Sequence, residues 1–215
     1  MRHFALVQIQ VTLVTILQLI AICGMLSPII YTLMWIIGGY LQPEYSHIRQ
    51  DVSSLVAVDA PNKKLLDKFL ISSSGLLLIF YIGLYWGINS GTGSILGPVL
   101  FIISGVLGFL VAIFFPLDAG GEMITTRAKL HLGLIAISGL LTTAGMVVLW
   151  FDLAADLVWG TFATFSMVAA VVSLILVVAT SIATGRDYMG LVERFMVSTY
   201  QIFYFVLALM MFLTN

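Results

Sequence analysis

The chain has 215 residues, of which 61% are hydrophobic and only 9% are charged, and its formal net charge is −1. So few polar side chains cannot coat a water-soluble globule, and a mean hydropathy of +1.13 is typical of a protein embedded in a membrane. Composition therefore excludes a soluble globular protein, and no nucleic-acid partner is expected.

Six apolar stretches predict six membrane-spanning helices. In chain order they cover residues 11–40, 69–88, 95–115, 130–150, 157–183 and 195–213. A helix of about 20 residues crosses the hydrocarbon core of a bilayer. The apolar runs are continuous rather than alternating, which indicates helices and excludes a membrane barrel. We predict an all-α fold, a single six-helix transmembrane domain over residues 1–215.

The first stretch follows a start that imitates a secretory signal. It continues through Pro28 and Trp35 without a cleavage pattern, so we expect the helix to be retained and kinked at Pro28. Polar side chains recur at helical spacing on the first and last spans, and we expect them to face protein or a ligand cavity rather than lipid. These residues are Gln8, Thr12, Thr15, Gln18, Ser198, Gln201 and Tyr204.

The loops 41–68, 116–129 and 184–194 fall at one end of such a bundle, which we call the charged-loop face. It carries eight of the nine Lys and Arg residues, with Arg2 alone at the other end. The positive-inside rule makes this face cytoplasmic and places both termini outside the cell membrane.

The first loop, residues 41–68, mixes charged with apolar side chains, which predicts a short helix within it. Whether residues 46–58 enter the bilayer or lie on its surface is left open. Asp59 is expected to cap the second helix, with Pro61 in its first turn.

Three interpretations of the ionisable residues on the charged-loop face remain open. In the first, the cations mark topology and pair with acids in exposed ion pairs of little energy. In the second, guanidinium groups converge on an anionic lipid head group, because their geometry matches phosphate. The residues assigned to this binding site are Arg49, Asp51, Arg127, Arg186 and Arg194.

The third interpretation is a metal or acid–base centre that acts on a lipid. Its members are His47, Asp51, Asp118 and His131. The metal signal is weak, because the chain has no His-Glu-x-x-His motif and only one cysteine, Cys23. Ser46 beside His47 is a further nucleophile candidate, although adjacent side chains rarely point at each other.

The cofactor is unknown, and neither haem nor retinal is expected. Haem would prefer paired histidines deep in facing spans, whereas His47 lies in a loop and His131 at a helix start. A retinal Schiff base needs a mid-membrane lysine, and every lysine here lies in a loop or at a helix end. An ion-coupled carrier is disfavoured because the spans hold no charged residue near the bilayer midplane.

Small residues recur four positions apart and predict close helix packing, as at Gly83 and Gly87 in the second span. The third span repeats the spacing at Ser104, Gly108 and Ala112, and the fourth at Ser138 and Thr142. We therefore keep two functional hypotheses. The first is binding or processing of an anionic lipid or amphiphile at the charged-loop face. The alternative is an accessory subunit of a membrane complex, or a homo-oligomer, with these small-residue faces as contacts.

Three short motifs carry a resemblance to a known family. The first loop reads Tyr45-Ser46-His47-Ile48 with Pro61 ahead of helix two, the third helix ends in Phe115-Pro116-Leu117-Asp118, and His131 opens the fourth. The chain resembles the domain of unknown function 998 family, six-helix integral membrane proteins of bacteria and archaea. The resemblance implies a prokaryotic inner membrane and places Ser46, His47, Asp118 and His131 at motif positions, but it carries no activity.

Overall fold

In a computed structural model, the backbone is described from residue 2 onward, and side chains are described for residues 16–88 and 90–215. This part of the chain forms six α-helices and no β-strand, so the all-α prediction is confirmed. The helices are α1 (Arg2–Leu41), α2 (Lys63–Gly87), α3 (Leu96–Phe114), α4 (Thr126–Leu153), α5 (Gly160–Ala183) and α6 (Met189–Thr214). All six are long and apolar enough to span a membrane. The first loop contains a 3₁₀ turn, Ser53–Val56.

Four helices begin several residues before the apolar stretch that predicts them. Helix α1 starts at Arg2 rather than 11, α2 at Lys63 rather than 69, α4 at Thr126 rather than 130, and α6 at Met189 rather than 195. Each sequence carries charged residues within its first two turns, which lower the hydropathy but include good helix formers. Hydropathy therefore locates the part of a helix in hydrocarbon, not where its hydrogen bonding begins.

The helices form a closed ring. Each packs against its neighbours in sequence, and α6 closes the ring by packing against α1. Aromatic side chains fill the interior, with Phe80, Tyr81, Phe101 and Phe203 almost completely buried. The outward faces carry exposed aliphatic residues, as expected of surfaces that contact lipid.

Small residues bring neighbouring helices of the ring together. A Cβ on Gly83 would lie 2.7 Å from Cγ2 of Ile20 on α1, so the lack of a side chain at Gly83 lets Ile20 pack directly against α2. Between α3 and α4, the Ser104 hydroxyl lies 2.8 Å from that of Ser138 and 2.7 Å from that of Thr142. Gly83, Ser104, Ser138 and Thr142 therefore make helix contacts within the chain.

The polar stripes are described only in part. Gln8, Thr12 and Thr15 lie outside the residues with described side chains, and Gln18 is half-buried. On α6, Ser198 is half-buried, while Gln201 and Tyr204 line an internal cavity. The second stripe thus faces the inside of the ring.

Backbone hydrogen bonds join the three loops of the charged-loop face. The Val58 amide donates to the Leu117 carbonyl at 3.1 Å, and the Leu191 amide donates to the Ile48 carbonyl at 3.0 Å. The expectation that Asp59 caps α2 is wrong: the N-cap is Asn62, and Asp59 Oδ1 instead accepts from the Gly120 amide at 3.1 Å. Asp59 lies within a turn at residues 57–60, and a second turn at residues 60–63 separates it from the helix start.

Candidate functional site

A cavity of about 190 Å³ lies inside the ring beneath the charged-loop face. Its walls come from α1, α2, α3, α4 and α6, and the Ser53–Val56 turn forms part of its roof. Polar groups in the lining include Ser27, Tyr31, Ser53, His131, Gln201 and Tyr204. The volume corresponds to roughly six water molecules and is below the 300 Å³ or so of pockets for drug-sized ligands. The cavity is therefore large enough for a small polar group and too small for a whole lipid.

His131 lies in the second turn of α4 and is held by a backbone carbonyl. Its Nδ1 lies 2.6 Å from the Phe115 oxygen at the end of α3. A carbonyl only accepts, so Nδ1 carries the proton and donates, and Nε2 is left as an acceptor. The Ser53 hydroxyl lies 3.2 Å from Nε2 and donates to it. We call these two side chains the Ser53–His131 pair.

Carboxylates from two elements support the Ser53–His131 pair. Glu193 of α6 accepts from the Val52 amide at 2.8 Å, which fixes the backbone directly before Ser53. Burial raises the pKa of Asp51, opposed by hydrogen bonds at Ser54 and by the charge of His131. Asp51 lies two residues before Ser53, and the Ser54 hydroxyl donates to its carbonyl oxygen at 2.8 Å.

Asp118 belongs to a separate arrangement that anchors the start of α4. Its carboxylate accepts from the Thr125 amide at 2.7 Å, the Thr125 hydroxyl at 2.8 Å, the Ile124 amide at 3.0 Å and Arg127 at 2.9 Å. Hydrogen bonding, first from the Thr125 amide, lowers the Asp118 pKa to about 2. With its oxygens occupied by the protein, Asp118 acts in the described structure as a structural anchor.

His47 lies in a third arrangement, built around Arg194. The His47 ring packs edge-on against Trp35 and Tyr45, and the Arg194 guanidinium lies over the same two aromatic rings. Burial and the Arg194 charge lower the His47 pKa, which keeps the ring neutral at pH 7. Burial raises the Tyr45 pKa to about 12, so its hydroxyl keeps its proton. His47 and His131 are therefore not brought together.

The remaining candidates also have separate partners. Arg49 is exposed and lies 3.9 Å from Asp187, and Arg186 donates to the Tyr188 hydroxyl at 3.2 Å. Ser46 is held through its backbone amide, which donates to Gln50 at 2.8 Å. The arginines predicted to share one anion thus share no partner here. Among the described residues, no group of three or more His, Cys, Asp or Glu side chains is arranged to hold a metal ion.

Comparison with known proteins identifies the family. The family model described as "Protein of unknown function (DUF998)" matches residues 25–210. The chain belongs to the DUF998 family. The match confirms the resemblance found in the sequence, and no curated protein and no solved structure matches the chain.

In this DUF998 protein, sequence reasoning missed Ser53 and Glu193 as members of the site. Ser53 is 78 positions from His131 and stands in an ordinary Ser-Ser dipeptide, so no local pattern marks it. Glu193 was easier to identify from the sequence than Ser53. A carboxylate directly before Arg194 in the first turns of a membrane helix is energetically costly unless it is paired.

Proposed function

We propose that this DUF998 protein binds an amphiphile within the bilayer and holds its polar head group in the cavity beneath the charged-loop face. The observation that carries the proposal is a cavity whose mainly apolar wall carries hydroxyl, imidazole and amide groups and the Lys63–Asp67 ion pair. Gln201 lines the cavity, and its buried Oε1 has no hydrogen-bond partner among the residues with described side chains. Buried polar atoms are seldom left unpaired, so a bound head group is a fitting partner for this one.

The charges around the cavity do not restrict the ligand to anions. Lys63 is the cation in the lining, and its ammonium group contacts both oxygens of Asp67 at 2.8 Å. Arg194 is occupied by backbone carbonyls, and Arg127 by Asp118. We therefore extend the expected anionic amphiphile to neutral head groups that form hydrogen bonds.

Filling the cavity tests this proposal. Gly108 lines the cavity, and a Cβ there would meet nothing within 4 Å, so Gly108→Leu fills the space without a clash at Cβ. Gly133 also has no neighbour within 4 Å of an added Cβ but is exposed on the outside of α4, so Gly133→Leu is the matched control.

The measurement is native mass spectrometry of the purified protein, with lipid analysis. We expect a co-purifying amphiphile that is lost in Gly108→Leu and retained in Gly133→Leu. Equal retention in both variants would place the lipid elsewhere. A stoichiometric protein partner in place of lipid would favour the accessory-subunit function.

We further propose that the protein lies in the prokaryotic inner membrane with the charged-loop face in the cytoplasm, in keeping with the distribution of Lys and Arg. The test uses single cysteines in a Cys23→Ser background. Leu157→Cys lies in the exposed α4–α5 loop, and Asp187→Cys in the exposed α5–α6 loop. A membrane-impermeant maleimide should label Leu157→Cys in intact cells, and Asp187→Cys only after permeabilisation. The reverse pattern would invert the orientation.

A further inference from the structure

We propose that Ser53 is a nucleophile and His131 its general base, and that together they transfer the acyl group of a carboxylic ester in the bound amphiphile. This inference rests on the proposed function, since the ester must lie in the cavity that both side chains line. It adds a reaction and a substrate class, carboxylic esters, to what is otherwise a binding site.

The geometry matches the arrangement of an activated nucleophile. Such a site needs a nucleophile within hydrogen-bond reach of a base, and a third group that orients the base. The Ser53 hydroxyl lies 3.2 Å from His131 Nε2, and the Phe115 carbonyl fixes the opposite ring nitrogen at 2.6 Å. The acceptor nitrogen therefore faces the serine, as proton removal requires.

Burial and a carboxylate act on His131 in opposite directions. The residue is only 9% exposed, and burial disfavours a charged imidazolium ring. Attraction to the carboxylate of Asp51, two residues before Ser53, would offset part of this cost when Ser53 loses its proton. Glu193 fixes the backbone at Val52 and so positions Ser53.

The reaction balances as an acyl transfer through the enzyme. Ser53 Oγ bonds to the ester carbonyl carbon while its proton passes to His131 Nε2. The carbon–oxygen bond to the alcohol then breaks, and the departing oxygen takes the proton from Nε2, leaving an acyl-Ser53. Water or a lipid hydroxyl attacks this acyl group, gives its proton to Nε2, and releases the acid or a new ester as the proton returns to Ser53.

The composition and location of the pair together distinguish it from the structural hydrogen bonds. Ser104 is closed off between packed helices against Ser138 and Thr142, and the Ser27–Ser73 pair lines the cavity but contains no base. The Ser53–His131 pair contains a base, and both of its members line this cavity, which is large enough for an ester group.

Labelling with diisopropyl fluorophosphate tests the pair. Ser53 Oγ would displace fluoride from phosphorus, with its proton taken up by His131, and the adduct is mapped by peptide mass spectrometry. We expect labelling at Ser53, none at that position in Ser53→Ala, and labelling slowed about 100-fold or more in His131→Gln, because a general base contributes about 10²–10⁴ in rate. Ser46→Ala is the matched control, since Ser46 also adjoins a histidine, and it should be labelled at the wild-type rate.

Two results would overturn the inference: an unlabelled wild-type protein, or labelling that does not depend on His131. Ser53→Cys in a Cys23→Ser background gives a second measurement. Methyl methanethiosulfonate should modify this cysteine faster when His131 is present than in the additional His131→Gln variant, and equal rates would contradict the pairing. If the protein retains its lipid but fails both labelling tests, the binding function stands and only the proposed acyl transfer is contradicted. The loss of co-purifying lipid in Gly108→Leu, by contrast, tests binding alone.

Discussion

Arg194 Nη1 on α6 donates a hydrogen bond of 2.6 Å to the carbonyl oxygen of His47, a residue 147 positions earlier in the chain. The same nitrogen also lies 2.9 Å from the Gln50 carbonyl and 2.8 Å from that of Gly190, while Nη2 contacts the Tyr45 hydroxyl. One guanidinium group thus binds the first loop to the last helix at the point where the ring closes.

Replacing Arg194 with lysine should destabilise the fold although the charge is kept. A single ammonium group cannot reach the carbonyls and the Tyr45 hydroxyl in the fork geometry of a guanidinium group, and it cannot stack on Trp35 in the same way. We expect a loss of about 3 kcal/mol in unfolding free energy, on the scale of a broken buried charge network. Denaturant unfolding measures it, with the exposed Arg186→Lys as control; a loss below that of the control would argue against the network.

Gly39→Ala should displace His47. A Cβ at Gly39 would overlap the His47 ring, and overpacking of this kind costs about 1–3 kcal/mol. Adding His47→Ala to Gly39→Ala removes the clash. The double variant should therefore lose less stability than the two single variants lose in total. Thermal unfolding of the three variants tests this. Strictly additive effects would mean that the two side chains do not meet.

Asp118→Asn should lower stability at neutral pH and lose its effect in acid. The folded-state pKa of about 2 lies below the ordinary value of 3.8, so folding favours the carboxylate. Its contribution is therefore fully present above about pH 4 and is lost as the pH falls towards 2. The difference in melting temperature between the two proteins should narrow from pH 7 to pH 2.5, and it closes only below the folded-state pKa of about 2. Glu122→Gln, exposed in the same loop, is the control, and a constant gap would refute the assignment.

Ser104→Ala should weaken the contact between α3 and α4. The Ser104 hydroxyl is buried between hydroxyls of the facing helix, and hydrogen bonds between membrane helices contribute about 0.6 kcal/mol on average and up to about 1.7. We expect a loss in that range in an unfolding assay. Ser181→Ala is the matched control, because Ser181 is exposed on α5 and bonds only within its own helix, to the Val177 carbonyl.

The fold was predictable because a bilayer forces a long apolar segment to be a helix. The helix starts could not be predicted from hydropathy, because Lys63 and Met189 precede the apolar stretches. They are part of the helices by their backbone hydrogen bonding, which hydropathy does not report. His47, Asp118 and His131 stand out by residue type, and each lies at an organised point of the charged-loop face. Their division among three arrangements depends on loop contacts, such as that of Val58 with Leu117, which residue type does not encode.

Main-chain oxygens hold both His131 and Arg194 on the charged-loop face. The Phe115 carbonyl accepts from His131, and the carbonyls of His47, Gln50 and Gly190 accept from Arg194. An alanine scan removes side chains and leaves these carbonyls in place, so it would detect only side-chain partners, such as Ser53 for His131 and Tyr45 for Arg194. Paired substitutions between relatives would likewise not reveal the carbonyl contacts, because the carbonyl is the same whichever amino acid carries it. Mutational maps of this family should therefore show fewer partners for His131 and Arg194 than the structure does.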